Sequence, residues 1–339
     1  MSSERLTVAI TGPTGDIGRS LLRALERSSE IGRIVAMARR PFDPAAEGLR
    51  KTEYRRGDVL DAGSVSELVR GADVVVHLAF LIMGKLEETR RINLQGTRNV
   101  FEATVAAGAK RLVYASSVAA YGFGPGREGR MSEDSEPRGT EAHYYSAQKA
   151  ELELALDEAI ASSETAGYVF RPSIVAGPDA RTMLDVIPYF AISERMPGAV
   201  LRALEWMPAL RPVMPDTGVP FQLVHHDDVA LAFRAAVLGR GSPGVYNLAA
   251  DPPVTTADLA RALGWYSVPI PELALDASAE VISRLPFLPA ETKWIESMRE
   301  PMLMDTRKAR RELRWQPRHD GLATLEETVR AIRSEQLIR

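Results

Sequence analysis

Tyr145 and Lys149 stand four residues apart in Tyr144-Tyr-Ser-Ala-Gln-Lys149, the spacing that puts two side chains on one face of a helix. An ammonium beside a phenol favours the phenolate and lowers the hydroxyl pKa from about 10, so that a tyrosine becomes a usable acid and base near neutrality. Such a pair is a common coincidence on its own. Ser117, in Ser116-Ser-Val-Ala-Ala-Tyr-Gly122, gives it weight. It is a hydroxyl at the C-terminal end of an apolar run, where open α/β sheets hold their ligands. Together the three groups form a set for moving a proton to or from an oxygen.

A second group of residues suits a phosphate. Thr11-Gly-Pro-Thr-Gly-Asp-Ile-Gly18 sets Gly12, Gly15 and Gly18 around Thr14, Asp16 and Ile17, after one apolar run and at the opening of an amphipathic stretch. Glycine permits a tight turn and close backbone approach, while a helix N-terminus offers free N–H groups to a pyrophosphate. A purely structural turn is the alternative, and the strand-before, helix-after context argues against it. Binders of NAD place an acid at the end of the second strand for the ribose 2′-OH. Here Ile34-Val-Ala-Met-Ala38 runs into Arg39-Arg40 instead. Guanidiniums fork onto a 2′-phosphate, so NADP(H) is the preferred cofactor and NAD(H) the alternative. A solvated basic turn is the plainer reading of the same arginines.

These groups need a scaffold. Leu6–Thr11, Ile34–Ala38, Val74–Ala79, Leu112–Ser116 and Tyr168–Phe170 are short and apolar. Between them lie helix-like stretches at Ile17–Arg27, Ser64–Arg70, Glu87–Ala107 and Ser146–Ser162. Strand, helix and strand in alternation need crossovers and a parallel sheet covered on both faces. The expected fold is α/β, a Rossmann-type doubly wound parallel sheet. After about residue 176 the alternation weakens, then resumes with Phe221–Val224, a helix from Asp227 and a strand at Val245–Leu248. We expect a dinucleotide-binding domain of residues 1–176 plus about 221–249, and a smaller substrate-binding domain of about 177–220 and 250–339. Residues 122–140 read as a mobile loop, or as a lid over a site.

Composition bounds the class. The chain has 339 residues, 45% hydrophobic and 26% charged, with Lys+Arg 42 against Asp+Glu 45. That is globular usage, and a net charge of −3 advertises neither nucleic acid nor an anionic membrane. With no cysteine, disulfides, thiolate metal sites and cysteine nucleophiles are excluded, in keeping with a reducing compartment. Leu6 to Ile10 reads as a buried strand and not as a signal-peptide core, and Val74 to Met83 is too short to span a bilayer. A cytoplasmic protein is the expectation. His225-His-Asp-Asp228 resembles a metal cluster, but neighbours on a strand point to opposite faces. We therefore expect no metal, with Asp227 or Asp228 capping a helix.

Taken in order, these motifs resemble the short-chain dehydrogenase/reductase superfamily, in its extended branch of NAD(P)-dependent epimerases and dehydratases. The likeness rests on the cradle at 11–18, Gly57-Asp58-Val59, His77-Leu78-Ala79, Ser117, Tyr145/Lys149, Arg171-Pro172-Ser173, the 225–230 segment and Asp305 to Pro317. The resemblance implies Tyr145 as general acid/base, Ser117 on the reacting oxygen, and Lys149 on the nicotinamide ribose and tuning Tyr145. It sets Asp58 and Val59 against adenine, Leu78 and Ala79 along the cofactor, and Pro172 and Ser173 at the carboxamide. It also implies an Asn93 that props the site from a long helix, for which a solvent-facing asparagine is the alternative. Asp16 departs from the pattern, where the branch has an apolar or aromatic residue, and is expected to turn to solvent.

Within that branch, dehydratases follow the hydroxyl residue with Asp-Glu, whereas Ser117 is followed by Val118-Ala119. Phe80-Leu-Ile-Met83 faces the substrate region of this fold and is apolar. Phe80, Ile82 and Met83, with Ser117 and His143, are the candidate substrate contacts. For His143 a plain loop position is the other reading. The arginines Arg181, Arg195, Arg202 and Arg211 that a sugar diphosphate would need lie among Trp206, Met207, Leu210, Val213 and Met214. The expected function is NADP(H)-dependent interconversion of a carbonyl and an alcohol on a fairly apolar small molecule. The alternatives are a nucleotide-sugar epimerase with retained NAD and a non-catalytic dinucleotide-sensing protein. Two helices, 87–107 and 146–162, carry more apolar surface than a sheet-facing stripe needs, and the resemblance pairs their equivalents in a homodimer.

Overall fold

Alternating side chains of β1 (Leu6–Thr11) are buried on both faces of the chain's sheet, which is why the segment reads as one unbroken apolar run. In the computed structural model, which describes residues 5–124, 130–141, 143–180, 211–270 and 301–338, β1 pairs in parallel with β2 (Ile31–Ala38). Outward from β2 lies β3 (Thr52–Arg56), and on the other side of β1 lies β4 (Val74–His77). Beyond β4 come β5 (Arg111–Ala115), β7 (Ala166–Pro172) and β11 (Gly244–Leu248), to give the order β11-β7-β5-β4-β1-β2-β3. Every pairing is parallel. The remaining strands pair in twos: β6 (Arg130–Met131) with β13 (Leu303–Met304), β8 (Ile174–Ala176) with β10 (Leu223–His225), and β9 (Val213–Asp216) with β12 (Tyr266–Pro269).

The crossovers supply the covering layers. Val8, Ile10, Val74 and Val76 pack on one face with α1 (Gly18–Glu26) and, later in the chain, α6 (His226–Val237). Ala9, Val35, Val75 and Tyr114 pack on the other with α2 (Ala62–Val69), α4 (Gly96–Ala106) and α5 (Tyr144–Ile160). Each fully buried aliphatic side chain there contributes about 1.5–3 kcal/mol. A third cluster joins Ala176, Leu223 and Val254 to Leu259 of α7 (Thr256–Ala262) and Leu325 of α9 (Gly321–Ile338). Thr255 caps α7 through a reciprocal Thr255–Asp258 box.

Two expectations change here. The helix from residue 226 is not capped by Asp227 or Asp228: the His225 ring accepts from the Asp227 N–H at 3.2 Å, and Asp228 is buried, receiving the Arg318 and His319 N–H groups. The described parts of 122–140 are tied down, not loose. Phe123 and Thr140 exchange hydrogen bonds, β6 pairs with β13, and the Ser132 and Ser135 carbonyls accept from Tyr121 and Arg171. Residues 125–129 lie outside the described residues.

Candidate active site

The chain reverses its direction of winding between β1 and β4, and the groups singled out from the sequence collect at the C-terminal ends of these strands and of β5 and β7. The three glycines of the first turn do different jobs. Gly12 has φ +72°, and an added Cβ would lie 2.7 Å from the Ala79 nitrogen. At Gly18 it would lie 2.4 Å from the Gly12 carbonyl, so both positions are demanded by packing. Beside Gly15 a Cβ would meet nothing nearer than that carbonyl at 3.6 Å, and Gly15 is exposed: this is the open side of the turn, at the mouth of α1. Thr14 and Ile17 are partly buried around it, and so is Asp16, which does not turn out fully to solvent.

Below the turn the Thr11 hydroxyl reaches His77 Nδ1 at 2.6 Å and accepts from the Ala79 N–H at 3.3 Å, and His77 Nε2 reaches Thr97 at 2.9 Å. Burial, with Lys149 nearby, pushes the His77 pKa down to about 3. A neutral ring therefore bonds both hydroxyls, donating from one nitrogen and accepting at the other, and ties β1, β4 and α4 together.

At the end of β2, Tyr54 donates to the carbonyls of Ala38 and Arg40, fixing the turn that presents Arg39 and Arg40. Both guanidiniums are exposed, as is Arg56 opposite Ala38 on β3. Among the described residues none of the three has a carboxylate partner, whereas Arg33 and Arg55 both pair with Glu53. Asp58 accepts from the Leu60 N–H at 3.0 Å, and Val59 packs in the core against Gly96. Leu78 and Ala79 are partly buried at the end of β4. Pro172 closes β7, and Ser173 donates its N–H to the Leu248 carbonyl while its buried Oγ has no partner among the described residues.

Ser117, Tyr145 and Lys149 come together. Ser117 caps a short 3₁₀ turn, Val118–Tyr121, by accepting from the Ala119 N–H, and its hydroxyl bonds to that of Tyr145. Ser146 Oγ donates to the Ala119 carbonyl at 2.7 Å, pinning α5 to that turn. The expected lowering of the phenol is not found in this arrangement. Burial pushes Tyr145 up to about 12, opposed by the Ser117 hydrogen bond. Lys149 Nζ donates to the Ala115 carbonyl at 2.7 Å and lies 5.8 Å from the Tyr145 ring centroid, and burial holds its pKa at about 7 against the pull of Glu153.

Phe80 completes the cluster. Its ring meets Tyr145 edge-on at 5.5 Å, with Lys149 Nζ 3.7 Å from its centroid. Tyr144 donates to the Ile82 carbonyl at 2.6 Å, and Asn93 holds both the N–H and the carbonyl of Leu81. Ile82 and Met83 are partly buried in the same loop. Asn93 is fully buried, in a π-turn (Arg91–Gln95) between α3 (Leu86–Arg90) and α4, so it does not face solvent. His143 is the N-cap of α5, accepting from the Ser146 N–H, and packs on Phe123. Arg181, Arg195, Arg202, Trp206, Met207 and Leu210 lie outside the described residues; of the rest, Val213 is exposed and Met214 buried.

Sequence reasoning missed what lies beneath. Glu153, a turn beyond Lys149, takes three hydrogen bonds from Arg171 and one from Ser116, all three side chains being buried. The signal was available: Tyr145, Lys149 and Glu153 share one face, and Arg171 is the one charged residue in Ala166–Pro172. The two adjacent histidines also behave otherwise than expected. The strand ends at His225 and the helix starts at His226, so alternation does not separate them. Their rings lie 4.2 Å apart, with His319 stacked 3.8 Å from His225. Donor atoms of His225, Asp228 and His319 lie within 4.8 Å of one another. Asp228 is occupied by the 318–319 backbone, and stacked rings do not aim their lone pairs at one point.

A dinucleotide fits these residues: the turn is open beside Gly15, and, among the described residues, the arginines that end β2 have no carboxylate partner and the buried Ser173 hydroxyl has no hydrogen-bond partner. Comparison with known proteins agrees. The sequence profile of the NAD dependent epimerase/dehydratase family matches residues 8–249. The chain is 31% identical to human 3 beta-hydroxysteroid dehydrogenase type 7 over 224 residues, 60% of this chain and 58% of that one. It is 32% identical to a ceramide reductase of Caulobacter vibrioides over 194 residues, 57% of this chain and 54% of that one. It thus spans little more than half the length of either relative. A UDP-glucuronic acid 4-epimerase from Bacillus cereus, solved with NAD, superposes with a TM-score of 0.71 at 18% identity, covering 98% of this chain and 100% of that one. The chain belongs to the NAD dependent epimerase/dehydratase family, within the extended short-chain dehydrogenases/reductases.

Proposed function

We propose that the chain is an NADP(H)-dependent oxidoreductase that interconverts a carbonyl and an alcohol on an apolar, lipid-like molecule. One observation carries the substrate class: the loop Phe80–Met83 is apolar, clamped by Asn93 and Tyr144, and laid directly against Tyr145 and Lys149. A sugar would lose hydration against such a wall, whereas a hydrocarbon gains burial. The names of the two relatives, a steroid dehydrogenase and a ceramide reductase, point the same way.

In this reading Gly12–Gly18 hold the pyrophosphate, Arg39 and Arg40 the 2′-phosphate, Asp58 and Val59 the adenine, Leu78 and Ala79 the path between, and Pro172 and Ser173 the carboxamide. The bound nicotinamide supplies or accepts the hydride. Tyr145 gives a proton to the nascent alkoxide or removes one from the alcohol, and Ser117, already bonded to Tyr145, holds the same oxygen. A phenol kept at about 12 is a poor base, so the charge of Lys149 along the same helix face must favour the phenolate during turnover. The substrate is assigned to about 177–220 and 250–339, the cofactor to 1–176 and about 221–249, in a cytoplasmic homodimer formed through α4 and α5, where Leu154 is 55% exposed.

Calorimetric titration with NADPH and with NADH tests the cofactor, followed by turnover assays on sterol and long-chain ketones. Exchangeable NADPH preferred over NADH, with turnover of an apolar ketone, is the expected result. NAD released only on denaturation would overturn it in favour of a nucleotide-sugar epimerase. Nucleotide binding without any turnover, indifferent to Tyr145→Phe, would leave a sensing protein.

A further inference from the structure

A cleft of 370 Å³ opens between the second half of α6 and residues 313–318, which follow α8 (Arg307–Glu312). Arg234, Arg240, Arg314 and Arg318 line it, and among the described residues no carboxylate does. In a chain with more acids than bases this is against the background. Neighbouring cations find partners, Arg307 with Asp305 and Arg311 with Glu312, yet among the described residues none of the four lining arginines is in an ion pair.

Two details set these arginines apart from a solvated basic face. Arg234 Nε is buried and has no acceptor among the described residues, and a buried donor left unmade is unfavourable until something accepts from it. Arg314 sits at φ +53°, the one residue other than glycine with positive φ among the described residues. It follows the C-cap of α8, a position that glycine fills without strain, so the chain keeps a guanidinium there at the expense of backbone comfort. Leu231 and the buried Trp315 make the cleft's floor apolar.

The cleft is remote from Tyr145. Helix α6 starts beside α1, where the His226 ring meets Ser20, and packs along it. Its far end brings Gly239 against Arg111, the first residue of β5, whereas the candidate active site lies at the other ends of the strands.

We propose that this cleft is a second ligand site, which takes an organic phosphate: a phosphate monoester gripped by the arginine forks, with a compact apolar body on the Leu231–Trp315 floor. The proposal does not depend on the activity assigned above. Calorimetry with phenyl phosphate, inorganic phosphate and benzyl alcohol, on protein with and without saturating NADPH, tests it. Phenyl phosphate should bind equally in both, at least tenfold more tightly than inorganic phosphate, with no heat from benzyl alcohol. Replacing two of the three exposed arginines, Arg240→Gln with Arg318→Gln, should weaken phenyl phosphate at least tenfold. Arg314→Gly should weaken it too while raising the melting temperature, opposite signs that a structural role cannot give. Binding abolished by NADPH, binding unchanged in the double variant, or no binding at millimolar phenyl phosphate would each overturn the proposal. Association with phosphatidylglycerol vesicles but with no soluble phosphate would also overturn it, since it would make the arginines a surface patch.

Discussion

Arg171→Met should be the most damaging single change away from the proposed chemistry. The guanidinium of Arg171 donates Nε to both Glu153 oxygens, at 2.9 and 3.1 Å, Nη2 to Oε2 at 2.5 Å, and Nη1 to the Ser135 carbonyl at 3.1 Å. Its carbon lies 4.3 Å from the Tyr121 ring centroid. Side-chain exposures are 2% for Arg171 and 4% for Glu153, so water cannot replace either partner. Removing one member of such a pair leaves a buried charge and typically costs about 3–5 kcal/mol. Against a total stability of roughly 5–15 kcal/mol, that is about a fifth or more. With an unfolding entropy of about 2.1 cal/mol/K per residue, a chain of this length loses ~4–7 °C in melting temperature.

Removing both charges should cost less than the sum of the single changes, because two apolar groups of similar volume need no compensation. Urea denaturation of Arg171→Met, Glu153→Met and the double variant measures this. The reasoning fails if Arg171→Met costs under 1 kcal/mol, or if the double variant loses the full sum. A second readout follows from Glu153 holding up the Lys149 pKa: in Glu153→Gln, Lys149 should lose its proton below pH 7, read by NMR of a ¹⁵N-labelled lysine.

The other predictions concern the site and its scaffold. Tyr145→Phe should lower turnover by roughly 10²–10⁴-fold while NADPH affinity in calorimetry stays within about threefold. Arg39→Ala with Arg40→Ala should weaken NADPH by about tenfold, for the loss of exposed phosphate contacts, and leave NADH unchanged; equal loss for both would refute a 2′-phosphate role. Gly15→Ala should fold normally but bind nucleotide poorly, whereas Gly18→Ala should not fold, because its Cβ would meet the Gly12 carbonyl at 2.4 Å. His77 and His225 are held by burial at about 3 and about 4, below the free value of 6.5. The unfolded chain therefore takes up protons that the folded one refuses between pH 6.5 and those values. Stability should be fully present above pH 6.5 and fall as pH drops, by up to about 1.4 kcal/mol per unit for each ring; a flat urea midpoint from pH 7 to 5 would refute it.

What was legible depended on whether a residue's job was local. Gly12, Gly15 and Gly18 are decided by one turn, and Tyr145 and Lys149 by one helical repeat, so spacing found them. Strand β3, Thr-Glu-Tyr-Arg-Arg, has no apolar run because it is the edge of the sheet, where only one neighbour buries it. The cap of α6 was misassigned because the aspartates match the local preference, while Asp228 is recruited by Arg318 and His319, some ninety residues on. Glu153 was passed over, and Arg171 entered only within the Arg171-Pro172-Ser173 motif, because only the fold buries the two face to face. Asn93 was reached only through the family resemblance, with a solvent-facing asparagine as the alternative, because its partners Leu81 and Gln148 come from a loop and another helix.

These long-range contacts are also what make the site more than a motif. Ser117, Tyr145 and Lys149 could occupy the same sequence positions in a loosely packed helix and do little. Here Lys149 is held between an apolar ring and a carbonyl, with burial drawing its pKa down to about 7 and Glu153 opposing. The carboxylate that opposes this is itself held by Arg171 and Ser116, and Arg171 is anchored in turn by the Ser135 carbonyl. The same buried pair thus fixes the residue before Ser117, the helix turn after Lys149 and the segment around Ser135. A charge near neutrality beside a buried phenol is an outcome of that network and not of the Tyr-Lys spacing, which is why the spacing located the pair but misjudged the phenol's pKa.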